Sequence, residues 1–195
     1  AKGRITELPD NSHLPVHTAW DIGVGDSTAI WFFRLVGQEI HIIDYYENSG
    51  EGLRHYMTIL KRKGYKYGYH YGPHDLNNKE FGSDAKSRYD IAREGYEIDG
   101  QVYRLTFEVL PRAGIDDGIE QVREILLRCV FDEHKCDEGI SHLENYRKEW
   151  DDKRGCWKDK PLHDHTSHGA DAFRYLANSQ TKRHKAKRVN ISTVY

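Results

Sequence analysis

The sequence has no long hydrophobic run, and this absence excludes a membrane-spanning protein. No segment approaches the roughly 20 consecutive apolar residues of a transmembrane helix, and the first ten residues, AKGRITELPD, contain no apolar signal-peptide core. We therefore expect a soluble intracellular protein. Its 195 residues, 37% hydrophobic and 31% charged, fit one globular domain. Because residue 1 is alanine rather than methionine, we expect a processed chain or a domain cut from a longer protein.

Cysteine is also scarce. The three cysteines, Cys129, Cys136 and Cys156, are an odd number in a chain of this size and predict reduced thiols rather than a disulfide framework. An alternative is a zinc site that combines them with His134 and His163. The paired C-x-x-C spacing of strong zinc signatures is missing, which argues against that site.

Motifs for nucleotide binding and for base recognition are absent as well. The sequence contains no G-x-x-x-x-G-K-[ST] phosphate-binding loop, so we expect no dependence on ATP. It also contains no recognisable helix-turn-helix or zinc-finger element. If the protein acts on DNA, we expect little sequence preference.

Charge is distributed unevenly, although the net charge is only −2, from 29 basic and 31 acidic side chains. Residues 181–195 contain no acidic residue and five basic ones, so removing these five leaves 24 basic against 31 acidic side chains, a net charge of −7. Such an acidic body binds nucleic acid poorly unless its carboxylates hold cations. The tail is either a solvated end or a contact for DNA or a protein partner, and the candidate contacts are Lys182, Arg183, Lys185, Lys187 and Arg188.

Hydrophobic patterning predicts a mixed α/β domain. Three apolar segments, VHTAWDIG, STAIWFFRLV and EIHIIDYYE, predict an antiparallel meander with a turn at Gly37 and Gln38. The pattern then predicts further elements in the order βββαβαβααα, and a sheet with helices on its faces. The segments are a helix at 53–64, a strand at 65–72, a helix at 83–95, a strand at 102–110, a helix at 114–131, a helical patch at 140–150 and a last helix at 168–179.

These elements predict a domain over residues 16–180, preceded by a polar leader at 1–15 and followed by a disordered basic tail at 181–195.

Three aspartates lie at the ends of predicted elements. Asp21 ends the first strand, Asp75 follows the fourth strand in YGPHDLNN, and Asp171 lies near the start of the last helix in HTSHGADAFRYLANS. Loops and element ends are where sheet proteins place their sites, and Mg²⁺ prefers carboxylate oxygens. Each aspartate alone also fits a structural role, as a turn former, an Asx-turn residue or a carboxylate favoured by the helix dipole.

Taken together, WDIGVGDSTAIWFF, the later PHD and HTSHGADAFRYLA resemble the carboxyl-terminal nuclease domain of the large terminase subunit of tailed bacteriophages. The resemblance runs from about residue 16 to residue 178. SHGADAFRY is its most specific piece. WDIG alone is a weak signal, because D-x-G also opens actin-like ATPases. It implies a ribonuclease H-like fold: a central sheet whose first three strands are antiparallel, followed by parallel additions and flanked by helices.

The resemblance also implies a function and a site. Asp21, Asp75 and Asp171 would bind two divalent metal ions, Mg²⁺ or Mn²⁺, and cut double-stranded DNA. The ions would lie about 3.5 to 4 Å apart, one activating water and the other stabilising the leaving oxygen. The activity would be cleavage of concatemeric viral DNA during packaging, in the cytoplasm of the infected host and away from any membrane.

Implied partners are an ATPase motor domain, the small terminase subunit and the portal. The chain departs from full-length terminases in lacking the phosphate-binding loop of that motor.

The histidines near the aspartates have two interpretations. His168, His74 and His165 are candidates for proton shuttles or for partners that orient the aspartates, or they belong to a solvated polar loop. Two alternatives to a terminase remain open. One is a junction resolvase or transposase-like nuclease of the same fold, and the other is a nucleic-acid or capsid docking module whose aspartates are only structural.

Overall fold

The computed structural model describes residues 3–23, 26–79 and 85–192, with side chains described as far as Thr181. Its strands are β1 (Ile5–Thr6), β2 (Val16–Ile22), β3 (Ser27–Val36), β4 (Glu39–Ser49), β5 (Tyr67–Gly72), β6 (Tyr96–Ile98), β7 (Gln101–Tyr103), β8 (Phe107–Val109), β9 (Cys129–Asp132), β10 (Lys148–Asp151) and β11 (Cys156–Pro161). Its helices are α1 (Leu53–Lys63), α2 (Arg88–Glu94), α3 (Ile115–Leu126), α4 (Asp137–Asn145) and α5 (Ser167–Ser192), and a 3-10 turn covers His74–Asn77.

Seven strands form one central sheet in the order β1-β9-β4-β3-β2-β5-β8. The meander β2-β3-β4 is antiparallel, and it turns at Gly37, whose φ of 61° is left-handed. The outer strands are parallel to their neighbours: β5 to β2, β8 to β5, β9 to β4 and β1 to β9. The predicted mixed sheet, with an antiparallel start and parallel additions, is confirmed.

Helices cover both faces of the sheet. On one face, α3, α4 and α5 pack over a core built around Trp31, Phe33, Phe173 and Leu176. On the other, α1 and α2 cover a core that includes Trp20, Phe32, Met57 and Leu60. Each large apolar side chain buried in this way stabilises the fold by about 1.5 to 3 kcal/mol. The two cores therefore hold the helices in place on the two faces of the sheet.

A β-bulge in β4 changes which side chains face α5. Phe33 pairs with Ile42 but Phe32 pairs with Asp44, so Ile43 is an extra residue. Ile42 and Tyr45 therefore both point into the core under α5. Without the bulge, every side chain of β4 beyond Ile43 would change face.

Several predicted elements are wrong in extent. The helix predicted over 114–131 ends at Leu126, and Cys129–Asp132 forms β9, because Cys129 and Phe131 alternate into the core beside β4. The strand predicted over 102–110 is interrupted between β7 and β8. The helical patch predicted over 140–150 ends at Asn145, and β10 and β11 then form a hairpin. Residues 83 and 84 of the helix predicted over 83–95 lie outside the described residues.

The predicted leader and tail both contain regular structure. Within 1–15, Ile5 pairs with Phe131 and adds β1 to the sheet edge. Within 181–195, the backbone of α5 continues to Ser192, in agreement with the good helix propensity of lysine, arginine and alanine. None of the described helices combines the length and apolar character needed to cross a membrane.

Candidate active site

Topology brings the three predicted aspartates, here called the carboxylate trio (Asp21, Asp75 and Asp171), to one edge of the sheet. β2 and β5 are parallel neighbours with Ala19 opposite Tyr71, so their carboxyl ends meet at the same edge. Asp21 lies two residues beyond Ala19, and Asp75 lies in the 3-10 turn after β5. Helix α5 packs across β2, β3 and β5, and Asp171 lies in its second turn. Parallel pairing and helix packing thus juxtapose residues 150 positions apart in the chain.

All three carboxylates affect the pKa of Tyr175, which lies one turn beyond Asp171 on α5. Burial raises the pKa of the Tyr175 hydroxyl to about 12, and the charges of Asp21, Asp75 and Asp171 contribute to the rise. Within the described chain, the donor atoms of the trio do not all lie within 4.8 Å of one another. The three carboxylates thus surround one region without forming a single tight cage.

Asp171 is the most perturbed member of the trio. Burial raises its pKa to about 6, and the charge of Asp21 acts in the same direction against the opposing charge of Arg174. Arg174 Nη2 lies 2.7 Å from Asp171 Oδ1, which is an ion-pair distance without hydrogen-bond geometry. Asp171 Oδ1 and Arg174 Nε are both buried without a hydrogen-bond partner among the described residues. This oxygen therefore already faces one cation, the Arg174 guanidinium, and within the described chain it accepts no hydrogen bond that would use its remaining lone pairs.

His168 lies between two aspartates. Its Nδ1 is 3.3 Å from Asp21 Oδ2 and its Nε2 is 3.2 Å from Asp26 Oδ1. The ring is buried, with 9% of the side chain exposed. Its hydrogen bond with Asp21 raises the pKa of His168, against the opposing effect of burial, and the charges of Asp21 and Asp26 add to the rise. His168 and Asp171 lie one turn apart on α5, so one turn of the helix supplies both the ring that contacts Asp21 and the acid whose pKa burial and the Asp21 charge raise.

Asp26 and His163 complete a second group, here called the histidine cluster (Asp26, His163 and His168). His163 Nε2 lies 3.5 Å from Asp26 Oδ2, and one donor atom from each member lies within 4.8 Å of the others. A backbone hydrogen bond from Ser27 lowers the pKa of Asp26, and the charge of His168 lowers it further. Asp26 was not among the residues selected from the sequence. Its available signal was the position five residues after Asp21, in the turn between β2 and β3, although residues 24 and 25 of that turn lie outside the described residues.

Glu47 is a second acidic residue that was not selected from the sequence. Asp21 pairs with Ala29 and Ala29 pairs with Glu47, so the two acids lie on the same face of the sheet, on the two strands that flank β3. The Glu47 side chain is 10% exposed, accepts a hydrogen bond from Tyr45, and lies 3.2 Å from His142 Nδ1. Its charge contributes to the raised pKa of His168. Only the β4 bulge brings it to this face.

Gly169, in the SHGAD motif, is required by the close approach of α5 to the sheet. A Cβ atom there would lie 2.7 Å from the Tyr45 hydroxyl and 2.9 Å from His142 Nδ1. The carbonyl of Gly169 accepts a hydrogen bond of 2.8 Å from Trp31 Nε1. The glycine therefore lets the start of α5, with His168 and Asp171, seat directly on β3 and β4.

The remaining predicted residues lie around this centre. His74 lines a cleft of about 190 Å³ with Arg112, Arg174 and Tyr175, beside the trio. His165 packs against His142 with ring centroids 5.7 Å apart, so its nearest ring neighbour is the partner of Glu47. The side chains of the five basic tail residues, Lys182, Arg183, Lys185, Lys187 and Arg188, lie outside the described part of the chain.

The alternative zinc site receives no support from the described residues. Cys129 and Cys136 are buried in the core, and Cys156 is exposed on the hairpin. Burial raises the pKa of the Cys129 thiol to about 12, which disfavours the thiolate that binds zinc. Within the described residues, the metal-ligating side chains that lie close together are those of the histidine cluster, and none of them is a cysteine.

Comparison with known proteins identifies the fold. No protein-family model matches the sequence, and no curated protein matches it. Solved structures of large terminases are similar to this chain, and each of the following is matched over most of it. The large terminase of a thermophilic bacteriophage is 17% identical with a TM-score of 0.61, over 92% of this chain and 43% of that protein. The P22 large terminase nuclease domain is 16% identical with a TM-score of 0.57, over 93% of this chain and 90% of that one.

The large terminase nuclease domain of bacteriophage SPP1, solved with bound Mn, is 16% identical with a TM-score of 0.54, over 83% of this chain and 84% of that one. The chain thus spans less than half of the thermophilic-phage large terminase but most of the isolated nuclease domains. The expected resemblance to terminase nuclease domains is confirmed at the level of the fold.

Proposed function

We propose that this chain is a divalent-metal-dependent DNA endonuclease of the terminase type. The observation that carries the proposal is the carboxylate trio, which comes from three separate elements and converges at one edge of a sheet shared with terminase nuclease domains. Asp171 adds support, because an acid with a strongly raised pKa is typical of active sites rather than of solvated surfaces. We further infer that its substrate is double-stranded DNA.

The residues present fit the metal ions that this function requires. The trio offers hard carboxylate oxygens, which suit Mg²⁺ and Mn²⁺. The buried Asp171 Oδ1 is ion-paired with Arg174 but accepts no hydrogen bond within the described chain, so it retains lone pairs for an ion. Asp21, Asp75 and Asp171 would hold two such ions, which when bound would activate water and stabilise the leaving oxygen of the phosphodiester. The neutralised trio would also admit phosphate to an acidic body.

The surrounding side chains position the trio. His168 contacts Asp21 through Nδ1 and holds that carboxylate toward the end of β2. Arg174 balances the charge of Asp171, and it also lines the cleft with Arg112 and His74, where a phosphate of the DNA backbone would meet positive charge. The partly buried Tyr175 lies close enough to the three carboxylates for their charges to raise its pKa. No side chain of the protein is needed as a nucleophile.

The role in the whole assembly follows from the same proposal. We infer that the chain acts with an ATPase motor domain, the small terminase subunit and the portal, and cuts concatemeric viral DNA in the cytoplasm of the infected host. Because the chain matches only 43% of the thermophilic-phage large terminase, regulation during packaging would come from outside this domain.

A plasmid-cleavage assay tests the proposal. Supercoiled plasmid is incubated with the chain and Mg²⁺, Mn²⁺ or EDTA, with and without ATP, and the ends are mapped. We expect slow cleavage with little sequence preference that requires either metal and ignores ATP. Cleavage in EDTA or a need for ATP would refute the mechanism. A strong preference for a four-way junction over linear duplex would favour the resolvase alternative, and the absence of both cleavage and Mn²⁺ binding would favour a docking module.

A further inference from the structure

The two histidine rings of the histidine cluster are held by the protein through one nitrogen and converge on Asp26 through the other. His168 Nδ1 faces the Asp21 carboxylate at 3.3 Å with hydrogen-bond geometry, so a neutral ring that donates this hydrogen bond carries its proton on Nδ1. That leaves a lone pair on His168 Nε2, which faces Asp26 Oδ1 at 3.2 Å. An orienting carboxylate behind a histidine is the usual arrangement of a histidine that binds metal.

His163 has the same arrangement through Ser167. The Ser167 hydroxyl donates to the backbone carbonyl of Asp164 and accepts from the Asp164 amide, so its own proton is already used. Its contact of 3.3 Å with His163 Nδ1 therefore places the proton of a neutral ring on His163 Nδ1 as well. The lone pair of His163 Nε2 then faces Asp26 Oδ2 at 3.5 Å.

When both rings are neutral in this way, the two ring nitrogens and the Asp26 carboxylate converge as electron-pair donors with no hydrogen between them. Such an arrangement is favourable only if a cation or additional protons lie among them. A tetrahedral ion with bonds of about 2.1 Å to nitrogen and oxygen places its ligands about 3.4 Å apart. The separations of 3.2 Å from His168 Nε2 to Asp26 Oδ1 and of 3.5 Å from His163 Nε2 to Asp26 Oδ2 are close to that spacing. One donor atom from each of the three residues lies within 4.8 Å of the other two. Asp26 and His163 are 51% and 75% exposed, which leaves a side open for water or a further ligand.

We propose that Asp26, His163 and His168 form a site for one divalent transition-metal ion of the imidazole-binding class, such as Zn²⁺ or Co²⁺, separate from the carboxylate trio. Two imidazoles and one carboxylate favour these ions over Mg²⁺, which prefers oxygen ligands and an octahedral shell. The site does not depend on nuclease activity. Through the contact of His168 with Asp21, a bound ion would also fix that ring against the trio.

The test is a Co²⁺ titration of the chain after removal of metals with EDTA and exchange into buffer without the chelator. Visible absorption reports Co²⁺ held by imidazole and carboxylate, and equilibrium dialysis counts the ions. All proteins carry Cys156→Ser, which removes an exposed thiol able to bind Co²⁺ by itself. The series also contains excess Mg²⁺ to occupy carboxylate sites. We expect one Co²⁺ ion that excess Mg²⁺ does not displace.

His163→Ala and Asp26→Asn are the decisive variants, because both side chains are largely exposed and their loss should leave the core intact. Each is expected to weaken binding of this Co²⁺ ion by about 100-fold or more, since losing an outer partner of a metal ligand already costs about 10-fold to 100-fold. His165→Ala, in the same loop, is the matched control and should keep the ion. Asp171→Asn should also keep it.

Equal Co²⁺ binding by His163→Ala and His165→Ala would overturn the site, as would displacement by Mg²⁺. No retained Co²⁺ in the parent chain would mean that protons balance the cluster, and would likewise refute it. Circular dichroism of each variant verifies the fold. Since the readout is binding, a failure here is distinct from a failure to cleave DNA.

Discussion

The carboxylate trio and the histidine cluster lie side by side at one edge of the sheet, yet they differ in the type of donor atom, in the spacing of the donors and in exposure. The trio is all carboxylate, comes from three distant elements, and is spread beyond 4.8 Å within the described chain. The histidine cluster is compact, contains two imidazoles, and is largely exposed at Asp26 and His163. His168 contacts both groups. If both proposed sites bind their ions, their occupancies would be coupled through the His168 ring.

The largest predicted effect is the loss of DNA cleavage when a member of the trio is substituted. Asp21→Asn, Asp75→Asn and Asp171→Asn are each expected to reduce Mg²⁺-dependent plasmid cleavage by about 100-fold or more, because each removes an anionic ligand with little change of shape. Asp137→Asn, which neutralises an exposed carboxylate in the first turn of α4, is the matched control and should cleave normally. Near-normal cleavage by any one of the three would remove that residue from the site.

The second prediction concerns the residue that joins the two groups. His168→Ala is expected to lower cleavage by about 10-fold to 100-fold, less than loss of any trio member, because His168 positions Asp21 rather than contacting substrate. His168→Asn, which restores a donor near the Nδ1 position, should recover part of that loss. His134→Ala, on an exposed side chain, is the control. Complete loss of both cleavage and Mn²⁺ binding in His168→Ala would instead make His168 a ligand of the trio's ions.

The third prediction concerns the effect of ionised Asp171 on the free energy of unfolding, measured without metal and so apart from its role in cleavage. Its folded pKa of about 6 lies above its ordinary value of 3.8 because of burial, so ionised Asp171 destabilises the metal-free fold. Asp171→Asn should therefore increase the free energy of unfolding in EDTA by about 1 to 2 kcal/mol at pH 7. The gain should be complete above about pH 6 and should vanish below about pH 4, where wild-type Asp171 is protonated in both states.

Chemical denaturation across this pH range measures that effect. Asp137→Asn is the control, because it removes the charge of an exposed carboxylate rather than a buried one. A gain that persists at pH values below about 4 would assign the stabilisation to packing rather than to ionisation.

The smallest expected effect lies outside both groups. Changing the five basic tail residues (Lys182, Arg183, Lys185, Lys187 and Arg188) to glutamine should weaken DNA binding at low salt without altering the binding of Mg²⁺, Mn²⁺ or Co²⁺. For each phosphate that the variant no longer neutralises, the slope of log affinity against log salt should flatten by about 0.9. Fluorescence anisotropy with a labelled duplex gives the slope. An unchanged slope would assign the tail to a protein partner or to no binding role.

The centre of the fold was predictable from the sequence because its signals are local. Continuous apolar segments and the turn at Gly37 specify β2, β3 and β4, and apolar spacing closed by Gly64 specifies α1. The errors fell where tertiary contacts override local pattern. Cys129 continues the helical spacing of Ile125 and Leu126 in α3, yet Cys129–Asp132 forms a strand because β4 offers a parallel edge and a core for Cys129 and Phe131 to fill.

The members of the trio were selected from the sequence because each lies at the end of an element that the pattern itself defines. Their juxtaposition follows from parallel pairing of β2 with β5, which sequence spacing alone does not specify. His168 was selected for its position one turn before Asp171, but its contacts were not foreseen. Asp26 was missed because nothing in GDS indicates that the turn brings it to His163 and His168.

The strands of the meander, the aspartates at element ends and the glycine that lets α5 approach the sheet follow from the amino-acid sequence, since they depend on residue type and local spacing. Which acids share a face, and which histidines face Asp26, depends instead on the tertiary structure. The extra residue Ile43 moves Glu47 to the α5 face, and the turn held by Ser167 directs His163 toward His168. A one-residue shift in a strand reverses its faces, and such a shift is set by packing across the whole sheet rather than by the strand's own residues.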